Sequence, residues 1–321
     1  MGLFDKIKEP IFLKEDSNAQ KQLAALQELR KQASGETAAK LDEEISRVNA
    51  GVYGENAIHF ELANSHIPMY ILQDLYLEYD GLTAQIDYLL ITRKHVYVIE
   101  CKNLYGNIEI NNAGDFLRTV YAGQRTHKEG IYSPITQNRR HLELIKAMRG
   151  AERSNVLTKA LFENSFYETY RSIVVLANPK TVLYDRYAKK EIKNQVIRAD
   201  QLAEYIRTTD RSSGASFSEK EMENVATFFR NNHRENATDY TAKYRDAVAQ
   251  DLAAEQETET QKPVEQPSEP PVEAPAAEEK ILCPRCGAVM FKRKATKGSY
   301  AGKEFYGCSN YPKCRYIINI Q

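Results

Sequence analysis

The run Val96-Tyr97-Val98-Ile99 is apolar at every position, which suits a strand buried on both faces and not one that lies on a wet surface. A chain with such a strand needs covering layers on both sides of a sheet. The run ends on Glu100 and Lys102, which alternation puts on one side of the strand, with Ile99 and Cys101 on the other. Only a turn around Arg93-Lys94 separates it from the strand-like stretch 83–92, so the two pair as an antiparallel hairpin that brings Asp87 near Glu100.

Unpaired charge at the edge of a core costs several kcal/mol, roughly, after relaxation. Asp87 and Glu100 therefore call for a cation, and hard oxygen ligands with room for water and phosphate suit Mg2+ or Mn2+. The alternative for these three residues alone is a plain salt bridge between Glu100 and Lys102, with Asp87 capping a turn. Two further features favour a site. Glu55, Ile58 and Leu62 fall on one face of an expected helix starting near Gly51, so Glu55 points with the apolar side toward the sheet. Gln137 and His141 lie one turn apart on a helix that starts at Ser133-Pro134 and stops at Gly150.

The surrounding pattern is α/β. Residues 19–49 suggest two helices broken near Ser34-Gly35, a scaffold of residues 1–49. Strand patterns follow at 69–79, 83–92 and 95–102, then at "NIEINN" and "FLRTVYAG", a further hairpin. After the helix from Ser133 and a polar helical stretch comes the apolar run "SIVVLAN" at 172–178. "NQVIRADQLAEYI" then reads as a short strand leading into a helix. This order predicts one mixed sheet between helices across 50–210, and charged helices over 211–250.

The formal charge is zero, with 44 basic against 44 acidic residues, but it is unevenly placed. Residues 251–280 hold nine acidic and two basic side chains and five of the eleven prolines, which predicts an acidic, disordered linker with a reach on the order of 30 Å. Residues 281–321 hold eight basic and one acidic side chain, which points to an anionic partner there. No run approaches a membrane span and the N-terminus lacks the apolar core of a secretory signal, so a cytoplasmic protein without a membrane partner is expected. "MGLFDK" has Lys6 where a myristoylation site wants Ser or Thr, so Leu3, Phe4 and Ile7 are expected to pack on the main domain.

Four of the five cysteines lie within this C-terminal segment as Cys283-x2-Cys286 and Cys308-x5-Cys314. In a reducing compartment that spacing predicts a closed four-thiolate structural Zn2+ site; the alternative is four free thiols in a disordered tail. "CPRCGAVM" and "GCSNYPKCRY" resemble the zinc ribbons at the C-termini of bacterial type IA topoisomerases, down to the turn that carries the five-residue spacing. The resemblance implies binding of single-stranded DNA. Lys292, Arg293, Lys294, Lys297, Lys303 and Arg315 can neutralise phosphates, and Phe291, Tyr300, Phe305, Tyr306, Tyr311 and Tyr316 offer stacking faces, some of them needed for the ribbon's own core.

The stretch 50–170 resembles the nuclease-related domain (NERD) family through "GE", "QIDYLLIT", "VYVIECKNLYGNI" and "SPITQNRRHLELI". That resemblance implies a restriction-endonuclease-like mixed sheet with a PD-(D/E)xK site, Ile86 replacing the Pro of the pattern. Carried over by position, Asp87 and Glu100 bind the metal, Lys102 assists the nucleophile, and Glu55 and Gln137 complete the set; His141 is expected to be structural. The resulting expectation is a Mg2+- or Mn2+-dependent nuclease for single-stranded or branched DNA. A DNA-binding adaptor with an inactive nuclease fold competes with it. A protein-interaction scaffold leaves both the cysteines and the charged strand end unexplained.

Overall fold

The computed structural model describes residues 7–123, 125–214, 216–260, 283–285, 288–294 and 304–319. Two compact units divide the chain, Met1–Gln261 and Lys262–Gln321.

In chain order the larger unit runs β1 (Pro10–Lys14), α1 (Asn18–Gln32), α2 (Gly35–Ala63), β2 (Met69–Tyr79), β3 (Leu82–Ile91), β4 (Val96–Lys102), β5 (Asn107–Ile110), β6 (Phe116–Ala122) and β7 (Arg125–Ile131). It continues with α3 (Pro134–Ala151), α4 (Val156–Thr169), β8 (Tyr170–Leu176), β9 (Leu183–Tyr184), α5 (Lys190–Lys193), β10 (Val196–Arg198), α6 (Leu202–Arg211), α7 (Glu219–Asn232) and α8 (Ala242–Thr260).

The main sheet has the order β1-β2-β3-β4-β8-β10, with β2, β3 and β4 antiparallel and the β1-β2, β4-β8 and β8-β10 pairs parallel. It is the mixed α/β sheet that the apolar run 96–99 demands, with β4 at its centre. Ile58 and Leu62 of α2 cover one face against Tyr88, Tyr97 and Ile99. Leu142, Ile145 and Met148 of α3 cover the other against Leu89, Val96 and Val98. Each Val, Leu or Ile fully buried this way contributes about 1.5–3 kcal/mol.

Three details depart from the expected pattern. The helix expected near Gly51 is the second half of α2, which runs unbroken through residue 50. The 107–122 hairpin does not extend the main sheet; with β7 and β9 it forms a separate sheet ordered β7-β6-β5-β9. Helix α8 reaches Thr260, ten residues into the stretch expected to be linker, and 261–282 lie outside the described residues. Ile7 packs on the core as expected, whereas Leu3 and Phe4 lie outside the described residues.

The smaller unit contains β11 (Met290–Lys294), β12 (Glu304–Cys308) and β13 (Ile317–Asn319), one antiparallel sheet in that order. Its core is Cys283, Met290, Cys308 and Cys314, with Ala288, Tyr306 and Ile318 packed against it.

Candidate carboxylate site and candidate zinc ribbon

Strands β3 and β4 stay paired up to Tyr88↔Ile99, while β3 goes on with β2 to Tyr79↔Leu82. The next pair in register, Asp87 and Glu100, therefore sits where β4 parts from β3. At this fork the Cys101 backbone N–H, deprived of a ladder carbonyl, donates to Asp87 Oδ2 at 2.6 Å. The antiparallel hairpin expected from the sequence is present, and its backbone holds the Asp87 carboxylate.

Glu100 is almost fully buried, and its Oε1 accepts from Lys102 Nζ at 2.6 Å. The same ammonium donates to Gln137 Oε1 at 3.2 Å, so α3 contributes to the cluster. Asn138, the next residue, is buried and donates to the carbonyls of Val98 and Ile173, on β4 and β8, at 3.0 and 3.1 Å. Those two bonds pin the first turns of α3 to the central strands and so fix the reach of Gln137. His141 is buried with Nδ1 unpartnered, and burial together with the Lys102 charge pushes it down to about 4; it is a neutral imidazole.

Burial, and then the Glu100 charge, push the Asp87 carboxyl well above the ordinary range, against the Cys101 N–H. Burial also raises Glu100, although Lys102 and Gln137 both oppose it. Among the described residues, the Lys102 ammonium contacts Glu100 and Gln137 while Asp87 has only the Cys101 N–H, and Glu100 Oε2 makes no hydrogen bond. A buried carboxylate with an orphaned oxygen, Glu100, next in register to the half-buried carboxylate of Asp87 offers hard oxygen ligands that a divalent cation fits, with the Lys102 ammonium beside them.

Glu55 approaches from α2. Gly54 permits this: a Cβ there would lie 2.7 Å from Asn103 Cβ and 3.0 Å from Cys101 Sγ. The Glu55 carboxylate accepts from Ser17 Oγ at 2.8 Å and from Gln73 Nε2 at 3.4 Å, and burial raises it. Its negative charge also raises Asp87. The carboxylates of Glu55, Asp87 and Glu100 do not close into a tight trio, since the one cluster of three potential ligand atoms within 4.8 Å among the described residues is formed by cysteines.

Gly54→Ala is expected to destabilise the protein by about 1–3 kcal/mol through overpacking, a cost larger than the ~1 kcal/mol gained in helix propensity. Urea unfolding measures the balance; a net stabilisation would show that α2 does not sit this close.

Ser17, Gln73, Asp74 and Asn138 were not evident from the sequence. Asp74 lies opposite Asp87 in register, between the pairs Gln73↔Tyr88 and Leu75↔Ile86, and holds φ at +50°. Its carboxylate is satisfied by Asn18 N and Gln85 Nε2. An aspartate inside the apolar run "MYILQDLYLEY" is the one signal that marked this row.

In the ribbon the sulfurs of Cys283, Cys308 and Cys314 lie within 4.8 Å of one another, with Cys283 and Cys314 3.8 Å apart. That spacing is far too long for a disulfide and equals the edge of about 3.8 Å expected for a tetrahedral thiolate site with Zn–S near 2.3 Å. The Asn310 N–H donates to Cys308 Sγ at 3.4 Å, which suits a thiolate. These residues fit zinc; the fourth expected ligand, Cys286, lies outside the described residues.

Register divides the expected nucleic-acid residues between two faces. Phe291, Arg293, Phe305 and Ile317 share the outer face around Gly307, with Phe291 and Ile317 each 54% exposed. Lys292, Lys294 and Tyr306 share the inner face, where Tyr306 packs on the cysteine core and Lys292 pairs with Glu304 at 2.7 Å. Tyr311, within the turn at 309–313, and Arg315 and Tyr316 beyond it are exposed, whereas Lys297, Tyr300 and Lys303 lie outside the described residues.

Residues 50–177 match the family model described as nuclease-related domain (NERD), and residues 280–321 match that of the topoisomerase DNA binding C4 zinc finger. The DNA topoisomerase 1 of Methanocaldococcus jannaschii is 49% identical over 43 residues, a match that covers 13% of this chain and 5% of that protein. No solved structure gives a significant match. Among the described residues no helix is long and apolar enough to cross a membrane.

Proposed function

We propose, from a chain that carries a nuclease-related domain and a topoisomerase-type C4 zinc ribbon, that the protein is a Mg2+- or Mn2+-dependent DNA nuclease whose ribbon captures single-stranded or branched substrate. The observation that supports it most is the orphaned, buried Glu100 Oε2 beside a raised Asp87. A purely structural Glu100–Lys102 pair leaves the Asp87 carboxylate without a cation and Glu100 Oε2 without a hydrogen bond.

Asp87 and Glu100 would hold the cation. When bound, it supplies charge neutralisation at the scissile phosphate and lowers the pKa of an attacking water. Lys102, held by Glu100 and Gln137, keeps a positive charge at the strand end, where it stabilises negative charge developing on the phosphate. Gln137 keeps that ammonium oriented. In the ribbon, Arg293 and the exposed Phe291 on one flat face suit backbone neutralisation and base stacking.

The test is cleavage of single-stranded, duplex and branched DNA with Mg2+ or Mn2+ by wild type, Glu100→Ala and Lys102→Ala. Losing Lys102 is expected to slow cleavage about 10²–10³-fold. Equal activity in all three proteins would dismiss the site. Intact DNA binding without cleavage by wild type would favour the adaptor reading.

A further inference from the structure

Ser17 immediately precedes α1, where a serine hydroxyl ordinarily accepts a hydrogen bond from an amide two or three residues on. Here it makes no capping bond. Its Oγ donates instead to Glu55 Oε2 at 2.8 Å, a partner 38 residues away, and the residue is 2% exposed. A buried hydroxyl that gives up its local bond for a distant carboxylate marks a requirement of that carboxylate.

The arm that carries Ser17 is fastened on both sides. β1 pairs in parallel with β2, and Lys14 Nζ donates to the Gln73 carbonyl at 2.9 Å. The first amide of α1, Asn18 N, donates to Asp74 Oδ2. Gln73 supplies the second donor to Glu55. The Glu55 carboxylate is therefore clamped between α2, β2 and this arm, and its charge is felt by Asp87.

We propose that Ser17 is a positioning residue of the carboxylate site, holding the Glu55 carboxylate toward Asp87, so that residues 10–18, which lie before the stretch matching the nuclease-related domain, are a working part of it. The role rests on the metal-dependent reading above. Without the hydroxyl, Gln73 Nε2 at 3.4 Å is the hydrogen-bond donor left to the Glu55 carboxylate, which can then take a different rotamer, away from the flank of Asp87. Ser17→Thr keeps the donor; Ser17→Ala removes it.

The experiment is titration of the full-length, zinc-loaded chain with Mn2+ alone, followed by cleavage assays, for wild type, Ser17→Ala, Ser17→Thr, Glu55→Gln and the Ser17→Ala/Glu55→Gln double variant. Glu100→Ala serves as the blank. Ser17→Ala is expected to bind Mn2+ about tenfold more weakly at a similar melting temperature, the size of loss seen when a group outside the ligands that orients their surroundings is removed. Ser17→Thr restores binding, and Ser17→Ala adds nothing once Glu55 is Gln, because the hydroxyl then has no carboxylate to hold. Wild-type affinity in Ser17→Ala, or an additive loss in the double variant, overturns the role. Ser17-dependent Mn2+ binding in a protein that leaves every DNA intact removes the cleavage reading and keeps this one. A wild-type isotherm equal to that of Glu100→Ala overturns both.

Discussion

Glu100→Gln is expected to make the metal-free protein more stable and to abolish its stabilisation by Mn2+. The folded-state carboxyls of Asp87 and Glu100 lie above their ordinary values, first because of burial and, for Asp87, next because of Glu100. In such a case the native chain binds more protons than the unfolded one, so stability is greatest below the unfolded carboxyl pKa and falls as pH rises through the raised values. The amide removes one of these two acids and relieves the other, so it should flatten that decline and raise the melting temperature at pH 8. With Mn2+ the order reverses. A wild-type protein at a hundredfold excess over Kd gains about 2.7 kcal/mol, and the variant, missing a ligand, gains nothing. Thermal melts from pH 4 to 8 with and without Mn2+ read both effects. A variant less stable than wild type without metal would mean that Glu100 serves Lys102 alone.

Zinc removal carries the larger penalty. A unit whose core is three cysteines, Met290 and a few partly buried side chains has little apolar area to offset its chain entropy. Structural zinc contributes about 10–16 kcal/mol in small modules of this kind, so chelation or Cys308→Ser is expected to unfold residues 283–319 outright. The larger unit, with its own six-stranded sheet and helices, should melt as before. Single-strand affinity should fall and its salt dependence flatten by about 0.7 log unit per lost phosphate contact. Amide NMR follows the ribbon and fluorescence titration at several salt concentrations follows the DNA. An unchanged slope after chelation would remove the ribbon as the DNA anchor.

The parts of the molecule legible in the sequence are those decided by local pattern. The continuous apolar run at 96–99 and the stretches before it mark β2, β3 and β4, and Ser133-Pro134 marks the start of α3, where Ser133 Oγ accepts from Thr136 N. The acids and the lysine at the strand end followed from period-two geometry. β1 escaped notice because five residues opened by a proline carry little periodicity, and β7 because "RTHKEGI" has no apolar alternation and is held by pairing with β6 alone. Gly51 and Gly54 look like a boundary; Gly54 is instead a contact, small because Asn103 and Cys101 press on it. The Ser17–Glu55 and Asn138–Ile173 bonds span 38 and 35 residues, and partners so far apart leave no trace in any window of sequence.

In the proposed site a divalent cation sits between Asp87 and Glu100. Crystals of the larger unit soaked in Mn2+ and measured for anomalous scattering test it directly. The expected result is a peak bonded to oxygens of both carboxylates at roughly 2.0–2.3 Å, with Glu100 Oε2 among them, lost in Glu100→Gln. No peak, with Lys102 Nζ remaining the sole partner of Glu100 in saturating Mn2+, would contradict it.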